Sequence, residues 1–506
     1  MKLFLVGSDT AMREQLVFYI NGTQHCVRGY QAALTLTDYL RDEVRPRLPG
    51  TKVACAEGDC GACTVLVGRP AADGKSFDYQ TIDACIAFVY QFDRCHLITV
   101  EGLRQESTLS DVQSAMVDCH GSQCGFCTPG FVMALHGLAE QGEGGLSEDD
   151  LRLGLSGNLC RCTGYEQIME AGRALNATNM PSAAAPFDIQ SMLAELTKLS
   201  GPVHVNAQPP AETNGTTPDW QVPTVFLPST LDELLNRRAQ RPAATLVAGA
   251  TDLGVQYNHG KISPADILYT QGVPELDQLA IADDQLVIGA AVSWSRVEAL
   301  LADHIPEYHQ ILTRFGSPQI RHAGTLIGNL ANASPIADSI PFHYVAGSVL
   351  ELASVGGRRQ VPIEEFYLGY KQLDLRVDEI IVSVRTPLPA DNELLKLYKI
   401  SKRRDMDIST VTAAFLLDLD GDTIRSAKIA TGGVGPTVVR VAQAESELRG
   451  KPLTLETMAQ AGRIARTEIT PISDVRGSAD YRLQLVENLF AKCFYDLIAN
   501  RQPVGA

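Results

Sequence analysis

The stretch Lys52-Val-Ala-Cys-Ala-Glu-Gly-Asp-Cys-Gly-Ala-Cys-Thr-Val65 sets Cys55, Cys60 and Cys63 in a C-x4-C-x2-C pattern. Thiols this close together, with glycines between them, demand a tight loop around a metal centre. The spacing is that of a loop handing thiolates to both irons of a [2Fe–2S] cluster. Gly58 and Gly61 suit such a loop, because glycine accepts positive φ and close approach. A fourth thiolate must come from elsewhere. Cys85, in Asp83-Ala-Cys-Ile86, lies beyond the next strand-like run and is the candidate.

Eight of the 12 cysteines fall in two tight groups. In the second group Cys124 and Cys127 form C-x2-C, and Cys160 and Cys162 form C-x-C. Two pairs held at the ends of neighbouring helices can converge on one cluster. Structural zinc is the competing reading, but C-x-C makes a poor zinc knuckle. Redox disulfides compete less well, because clustered cysteines in a cytosolic chain point to metal ligation. Cys26, Cys95, Cys119 and Cys493 read as small core hydrophobes.

The net charge of −16 argues against a nucleic-acid or anionic-membrane partner. The apolar run at Met1–Gly7 is too short for a signal peptide, and no run is long enough to span a bilayer. A cytoplasmic chain is expected. No general acid, base or nucleophile stands out, so no catalytic residue is assigned.

At 506 residues the chain needs several domains. Leu16, Phe18 and Ile20 alternate into Asn21-Gly22, a hairpin signal. Leu36, Leu40 and Val44 follow at helical spacing, then the cysteine loop and the strand-like Thr64–Val67. Hairpin, helix, cluster loop and strand form the order of a β-grasp ferredoxin domain, bounded at residues 1–92. Residues 93–178 read as a helical bundle with cysteines at its helix ends. Capping boxes open its helices at Ser110–Gln113, Ser147–Asp150 and Thr163–Glu166. Residues 179–223 read as a linker, with breakers at Pro209-Pro210 and Asn214–Pro218 and a short helix near Ile189–Leu199. An α+β domain over 224–389 and a C-terminal α/β domain over 390–506 complete a multidomain α+β chain. The last helix carries Leu485, Leu489, Cys493 and Leu497 at core-facing spacing.

Both cysteine groups together, with Gln123-Cys-Gly-Phe-Cys-Thr-Pro-Gly130 and Asn158-Leu-Cys-Arg-Cys-Thr-Gly-Tyr165, resemble the iron–sulfur arm of the xanthine dehydrogenase / molybdenum hydroxylase family. Cys55, Cys60, Cys63 and Cys85 match its first [2Fe–2S] motif, and Cys124, Cys127, Cys160 and Cys162 its second. The resemblance continues into that family's FAD domain. Leu246, Val247, Ala248, Gly249, Ala250, Thr251, Asp252 and Leu253 resemble its first flavin loop. Phe315, Gln319–Leu330 and Ala333–Asp338 resemble the second, with Thr325, Gly328, Asn329 and Asp338 as its contacts. Ile381 and Lys399 match later flavin contacts. The chain departs from the family at Ala250, where relatives usually carry Gly or Asn, and at Ile327, where they usually carry Gly. The turn Gly432-Gly-Val-Gly435 lacks the third glycine of a dinucleotide fingerprint and reads as structural.

The resemblance implies the iron–sulfur/FAD subunit of the bacterial members of the family. A molybdopterin-binding large subunit would hydroxylate hypoxanthine or xanthine, in a heterotetramer of two small and two large subunits. Electrons would pass through two [2Fe–2S] clusters to FAD and on to NAD+. Gln123 would face the molybdopterin side, and Ser401–Asp407 the nicotinamide. Two alternatives stand beside this. One is the reductase arm of another molybdenum hydroxylase, for an aldehyde or N-heterocycle or with another acceptor. The other is a flavin-less iron–sulfur electron carrier, suggested by Ile327.

Overall fold

The computed structural model describes residues 12–104, 108–142, 144–206 and 222–501. The run at Met1–Gly7 and the breakers at Pro209-Pro210 and Asn214–Pro218 lie outside the described residues. The chain divides into two compact units, residues 1–275 with 317–324 and residues 276–316 with 325–506.

The first unit begins with the expected hairpin. Strands β1 (Leu16–Ile20) and β2 (Thr23–Val27) meet at Asn21 and Gly22, whose φ angles of 47° and 77° satisfy a two-residue turn. With β3 (Thr64–Pro70), β4 (Phe77–Asp83) and β5 (His96–Ile98) they form a sheet of order β2-β1-β5-β3-β4. β1 runs parallel to β5 and the other pairings are antiparallel. β1 alternates in sequence, yet both of its faces are buried. Leu16, Phe18 and Ile20 join Leu36, Leu40 and Val65 in one core. Val17 and Tyr19 join the helical segment in another, with Leu66, Ile98 and Phe131. The second face is covered by the helical segment. Cys26, read as a core residue, is instead exposed on β2, because its neighbour Val27 takes the inward position.

Four helices follow, Asp111–Asp118, Thr128–Gln141, Glu148–Gly154 and Glu166–Arg173. Ser110 and Ser147 form their capping boxes as expected. Thr163 does not: Tyr165, at a left-handed φ of 75°, precedes the last helix and supplies no side-chain cap. The Thr163 hydroxyl is turned to the sulfur of Cys160 instead, at 3.1 Å. Part of the expected linker is folded. The helix Ile189–Leu196 buries Met192, Leu193 and Leu196 in the helical core. β6 (Val203–Val205) then opens a second sheet with β7 (Thr224–Leu227), β8 (Thr245–Val247) and β9 (Asp266–Tyr269), in the order β6-β7-β9-β8. Val203, Val225, Val247 and Ile267 of this sheet share the core of Leu16 and Phe18.

The second unit holds β10 (Leu279–Ala282), β11 (Gln285–Gly289), β12 (Val349–Ser354), β13 (Gly357–Pro362), β14 (Tyr367–Gly369), β15 (Gln372–Leu373) and β16 (Ile380–Pro387). Five of them form an antiparallel sheet of order β10-β11-β16-β12-β13, and β14 pairs with β15. A last antiparallel sheet runs β17 (Glu393–Ile400), β18 (Val411–Asp420), β19 (Thr423–Gly432) and β20 (Val439–Arg440). The helix Ala479–Arg501 packs against it through Leu489, Phe490, Cys493 and Leu497, with Leu485 partly buried beside them. Arg482, 1% exposed, ties this helix to the turn after β19 by donating to the Gly433 carbonyl at 2.7 Å. Among the described residues no helix is long and apolar enough to cross a membrane.

Candidate metal centres and flavin loops

The Lys52–Val65 loop precedes β3, and Cys85 follows β4. The β3–β4 hairpin therefore brings the fourth thiol back to the loop. Ala56, Gly58 and Gly61 take positive φ angles of 56°, 76° and 63°. Cys63 and Cys85 are buried, and Cys55 and Cys60 half-buried. The thiol of Cys55 hydrogen-bonds those of Cys60 and Cys85, and Cys63 hydrogen-bonds Cys85. These contacts push neighbours apart in acidity: the Cys60 and Cys85 thiols lower Cys55, and Cys55 raises Cys60. The Glu57 amide donates to Cys55 Sγ at 3.4 Å. Asp83 stands 3.6 Å from Cys63 Sγ, its Oδ2 without a hydrogen-bond partner, and burial pushes its carboxyl well up.

The second group is built from helix ends. Cys127 immediately precedes Thr128–Gln141 without a side-chain cap bond, and Pro129 suits the first turn of that helix. Cys124 and Cys162 are exposed, and their sulfurs lie 3.6 Å apart. Cys127 hydrogen-bonds Cys160, and burial pushes the Cys127 thiol up to about 12. Cys160 Sγ accepts from the Cys162 amide at 3.4 Å, the Thr163 amide at 3.4 Å and the Thr163 hydroxyl at 3.1 Å. Burial works to raise the Cys160 thiol, but these donors outweigh it and the thiol is lowered.

Among the described residues no group of three or more His, Cys, Asp or Glu side chains is arranged around a single metal ion. The thiols gather in two groups of four instead: Cys55 meets both Cys60 and Cys85 and Cys63 meets Cys85, while Cys124 meets Cys162 and Cys127 meets Cys160. Four thiols are what a two-iron cluster needs, two per iron, and all-thiol donors suit iron–sulfur chemistry. The residues present therefore fit a [2Fe–2S] centre in each place.

The two groups are joined. The Leu159 amide donates to the Cys60 carbonyl at 3.0 Å, linking residues adjacent to and within the two ligand sets. Asn158 Nδ2 donates to the Gly61 carbonyl at 3.0 Å. Gln319 Nε2 then donates to Asn158 Oδ1 at 2.8 Å and to Thr64 Oγ1 at 3.2 Å, closing a buried polar network. A Cβ on Gly130 would sit 2.1 Å from the Gly61 carbonyl oxygen, so only glycine permits this approach. Asn158 and Gln319 stand in the cysteine motif and the second flavin-loop stretch in the sequence, but their meeting in this network carries no sequence signal; it rests on their burial.

The residues assigned to FAD fall in both units and are described within each. In the first unit β8 contributes Leu246 and Val247, and Ala248, Gly249, Ala250, Thr251, Asp252 and Leu253 form the turn into the helix Leu253–Asn258. A Cβ on Gly249 would lie 2.0 Å from the Ala323 carbonyl oxygen. Gly249 is thus fixed by packing against the Gln319–Gly324 stretch of the same unit. Ala250 has φ 61°, a left-handed conformation that explains why Gly or Asn is usual there. In the second unit Thr325 Oγ1 accepts from the Gly328 amide at 3.0 Å, capping Leu326–Asn332. Asn329 Oδ1 accepts from the Ser339 hydroxyl at 2.7 Å. Ile327 is buried, Gly328 exposed, and Phe315 packs on Trp294 with ring centroids 4.8 Å apart. Ile381 is buried in β16. Lys399, on β17, forms a buried ion pair with Asp338 and donates to the Arg314 carbonyl at 3.3 Å; Ser409 holds the other Asp338 oxygen. Turns of small residues with reachable backbone suit a cofactor carrying phosphates, and on that ground the loops fit FAD.

Three family models match the chain: a [2Fe-2S] binding domain over residues 99–173, the FAD binding domain in molybdopterin dehydrogenase over 220–389, and the CO dehydrogenase flavoprotein C-terminal domain over 396–497. The chain is 31% identical to xanthine dehydrogenase of Oryza sativa subsp. japonica, over 96% of this chain and 40% of that protein. It is also 31% identical to xanthine dehydrogenase of Emericella nidulans, over 95% of this chain and 38% of that protein. It therefore spans about two fifths of the curated relatives it matches. Among solved structures, quinoline 2-oxidoreductase from Pseudomonas putida 86 aligns at TM-score 0.51 and 27% identity, over 55% of this chain and 96% of that one. Carbon monoxide dehydrogenase from Hydrogenophaga pseudoflava aligns at TM-score 0.51 and 25% identity, over 54% and 96%. The chain belongs to the molybdenum hydroxylase family, of which it carries the iron–sulfur and flavin modules.

Gly249→Ala is expected to cost about 1–3 kcal/mol by overpacking, with less flavin retained on purification, as read by thermal unfolding and visible absorbance. Lys399→Met leaves Asp338 buried without its cation and is expected to cost about 3–5 kcal/mol, measured by urea unfolding. Thr163→Val removes one donor from Cys160 Sγ. It is expected to lower the midpoint potential of the second centre by about 20–60 mV in an EPR-monitored redox titration, the one-electron equivalent of roughly 0.5–1.5 kcal/mol.

Proposed function

We propose that this chain is the electron-transfer arm of a xanthine dehydrogenase. It takes electrons from a molybdopterin-binding large subunit that hydroxylates hypoxanthine and xanthine, and delivers them to NAD+. The observation that carries the reading is the bond from the Leu159 amide to the Cys60 carbonyl, which couples two thiol quartets through one backbone contact. The likeness to xanthine dehydrogenases along 96% of the chain supports it.

In this reading Cys124, Cys127, Cys160 and Cys162 hold the cluster nearer the partner. Their exposed neighbours Phe126, Leu159 and Tyr165 suit a protein contact. Cys55, Cys60, Cys63 and Cys85 hold the inner cluster, where Cys63 and Cys85 are buried and Cys55 and Cys60 half-buried. Residues 1–92 and 93–178 are then the cluster domains, with 224–389 and 390–506 the flavin-binding and C-terminal domains. When bound, FAD supplies the exchange between single electrons and a hydride. The chain's own part is to space the centres and to tune them through burial and hydrogen bonds to sulfur. The exposed loop Ser401–Asp407, pinned by Arg403 N–H to Asp407 at 2.9 Å, is the surface assigned to NAD+. The assembly is a cytoplasmic heterotetramer of two small and two large subunits.

The likeness to quinoline 2-oxidoreductase at 27% identity favours a second reading, the same arm serving a hydroxylase of another substrate or acceptor. Purifying the complex and offering xanthine, an N-heterocycle and an aldehyde, each with NAD+ or a dye, separates the two. Cys124→Ser is expected to abolish xanthine-dependent NAD+ reduction while NADH-dependent dye reduction persists. Equal loss of both activities would count against the assigned order of centres.

A further inference from the structure

The helix Leu253–Asn258 leaves the first flavin loop and ends against the inner thiol quartet. A Cβ on Gly254 would lie 2.2 Å from the Ile86 carbonyl oxygen, so the helix backbone sits directly on the segment carrying Cys85. At its end, Asn258 Nδ2 donates to the Ala56 carbonyl at 2.9 Å and to the Cys85 carbonyl at 2.8 Å. These two carbonyls belong to the two separate segments that supply the quartet. One amide group therefore staples the Cys55–Cys63 loop to Cys85.

The staple falls where the loop needs it. Ala56 holds a left-handed φ of 56°, a conformation that a residue with a Cβ takes only at a cost. Strain of this kind persists only when the surroundings enforce it. With Ala56 so turned, the next amide, that of Glu57, reaches Cys55 Sγ at 3.4 Å. The adjoining contact between His259 Nε2 and Glu57, at 2.6 Å, fastens the same turn from outside. Donors to sulfur favour the reduced, more negative cluster and raise its potential.

We propose that Asn258 is a positioning residue for the inner cluster: by bridging Ala56 and Cys85 it keeps the Glu57 amide on Cys55 and so sets that cluster's potential. The inference rests on the reading of Cys55, Cys60, Cys63 and Cys85 as ligands of a [2Fe–2S] centre.

The test is an EPR-monitored redox titration of the purified full chain. Cys124→Ser, which removes a ligand of the outer centre, identifies the signal that belongs to the inner one. Asn258→Leu keeps the branched side-chain shape and removes both donated bonds. It is expected to lower the inner midpoint potential and leave the outer one in place, with iron content unchanged. An unmoved inner potential, or equal shifts of both, would overturn the proposal. If Asn258→Leu does not fold, Asn258→Ser is read instead; a smaller drop confined to the inner centre supports the role, and no drop overturns it. Absence of any inner [2Fe–2S] signal in the unaltered protein would instead sink the cluster reading itself, and the proposal with it.

Discussion

The first unit depends on one seam, where Asn158 and Leu159 meet Cys60 and Gly61. A backbone bond and a side-chain amide bond cross it, and both carbonyls they satisfy lie in the cysteine loop. Such a loop has few helix or sheet partners for its peptide groups, and buried carbonyls left unpaired are costly. The helical segment supplies those partners, and in doing so places the second cysteine pair beside the first. Gly61 and Gly130 are required because the seam leaves no room for a Cβ on either.

The same economy of contact shapes the sheet beneath. β1 faces two cores at once, so the helical segment and the ferredoxin-like segment cannot separate without exposing Val17 and Tyr19, while Leu16 and Phe18 stay in the ferredoxin-like core. Burial on both faces makes a rigid support for groups that must hold fixed spacing. Of the polar groups beside the sulfurs, Asp83 at Cys63 ends a strand of this sheet, while Thr163 at Cys160 and the Glu57 amide at Cys55 belong to the loops it carries.

Much of this was legible in residue order. The hairpin at Asn21-Gly22, the capping serines at 110 and 147 and the core stripe of the last helix followed from local chemistry. Where reading failed, a longer-range partner had overridden the local rule. Thr163 has the spacing of a cap, but the Cys160 sulfur claims its hydroxyl. Val203–Val205 lies in a breaker-rich stretch, yet its valines found an existing core; the helix expected near Ile189–Leu199 did form, as Ile189–Leu196. Cys26 has the composition of a core residue but falls on the outward phase of β2.

The sequence by itself determined the two cysteine groups, because thiol type and spacing are local properties that few other structures can use. It also determined the family, through the linear order of cluster motifs and flavin loops. Only the tertiary structure decided which thiols meet, which carbonyls the two cysteine loops share, and that Asn258 reaches both segments of the inner quartet. Those depend on residues far apart in the chain, brought together by β-sheet pairing and by glycines that let backbones touch. No periodicity or spacing in the sequence encodes such meetings, since each is fixed by packing rather than by neighbours along the chain.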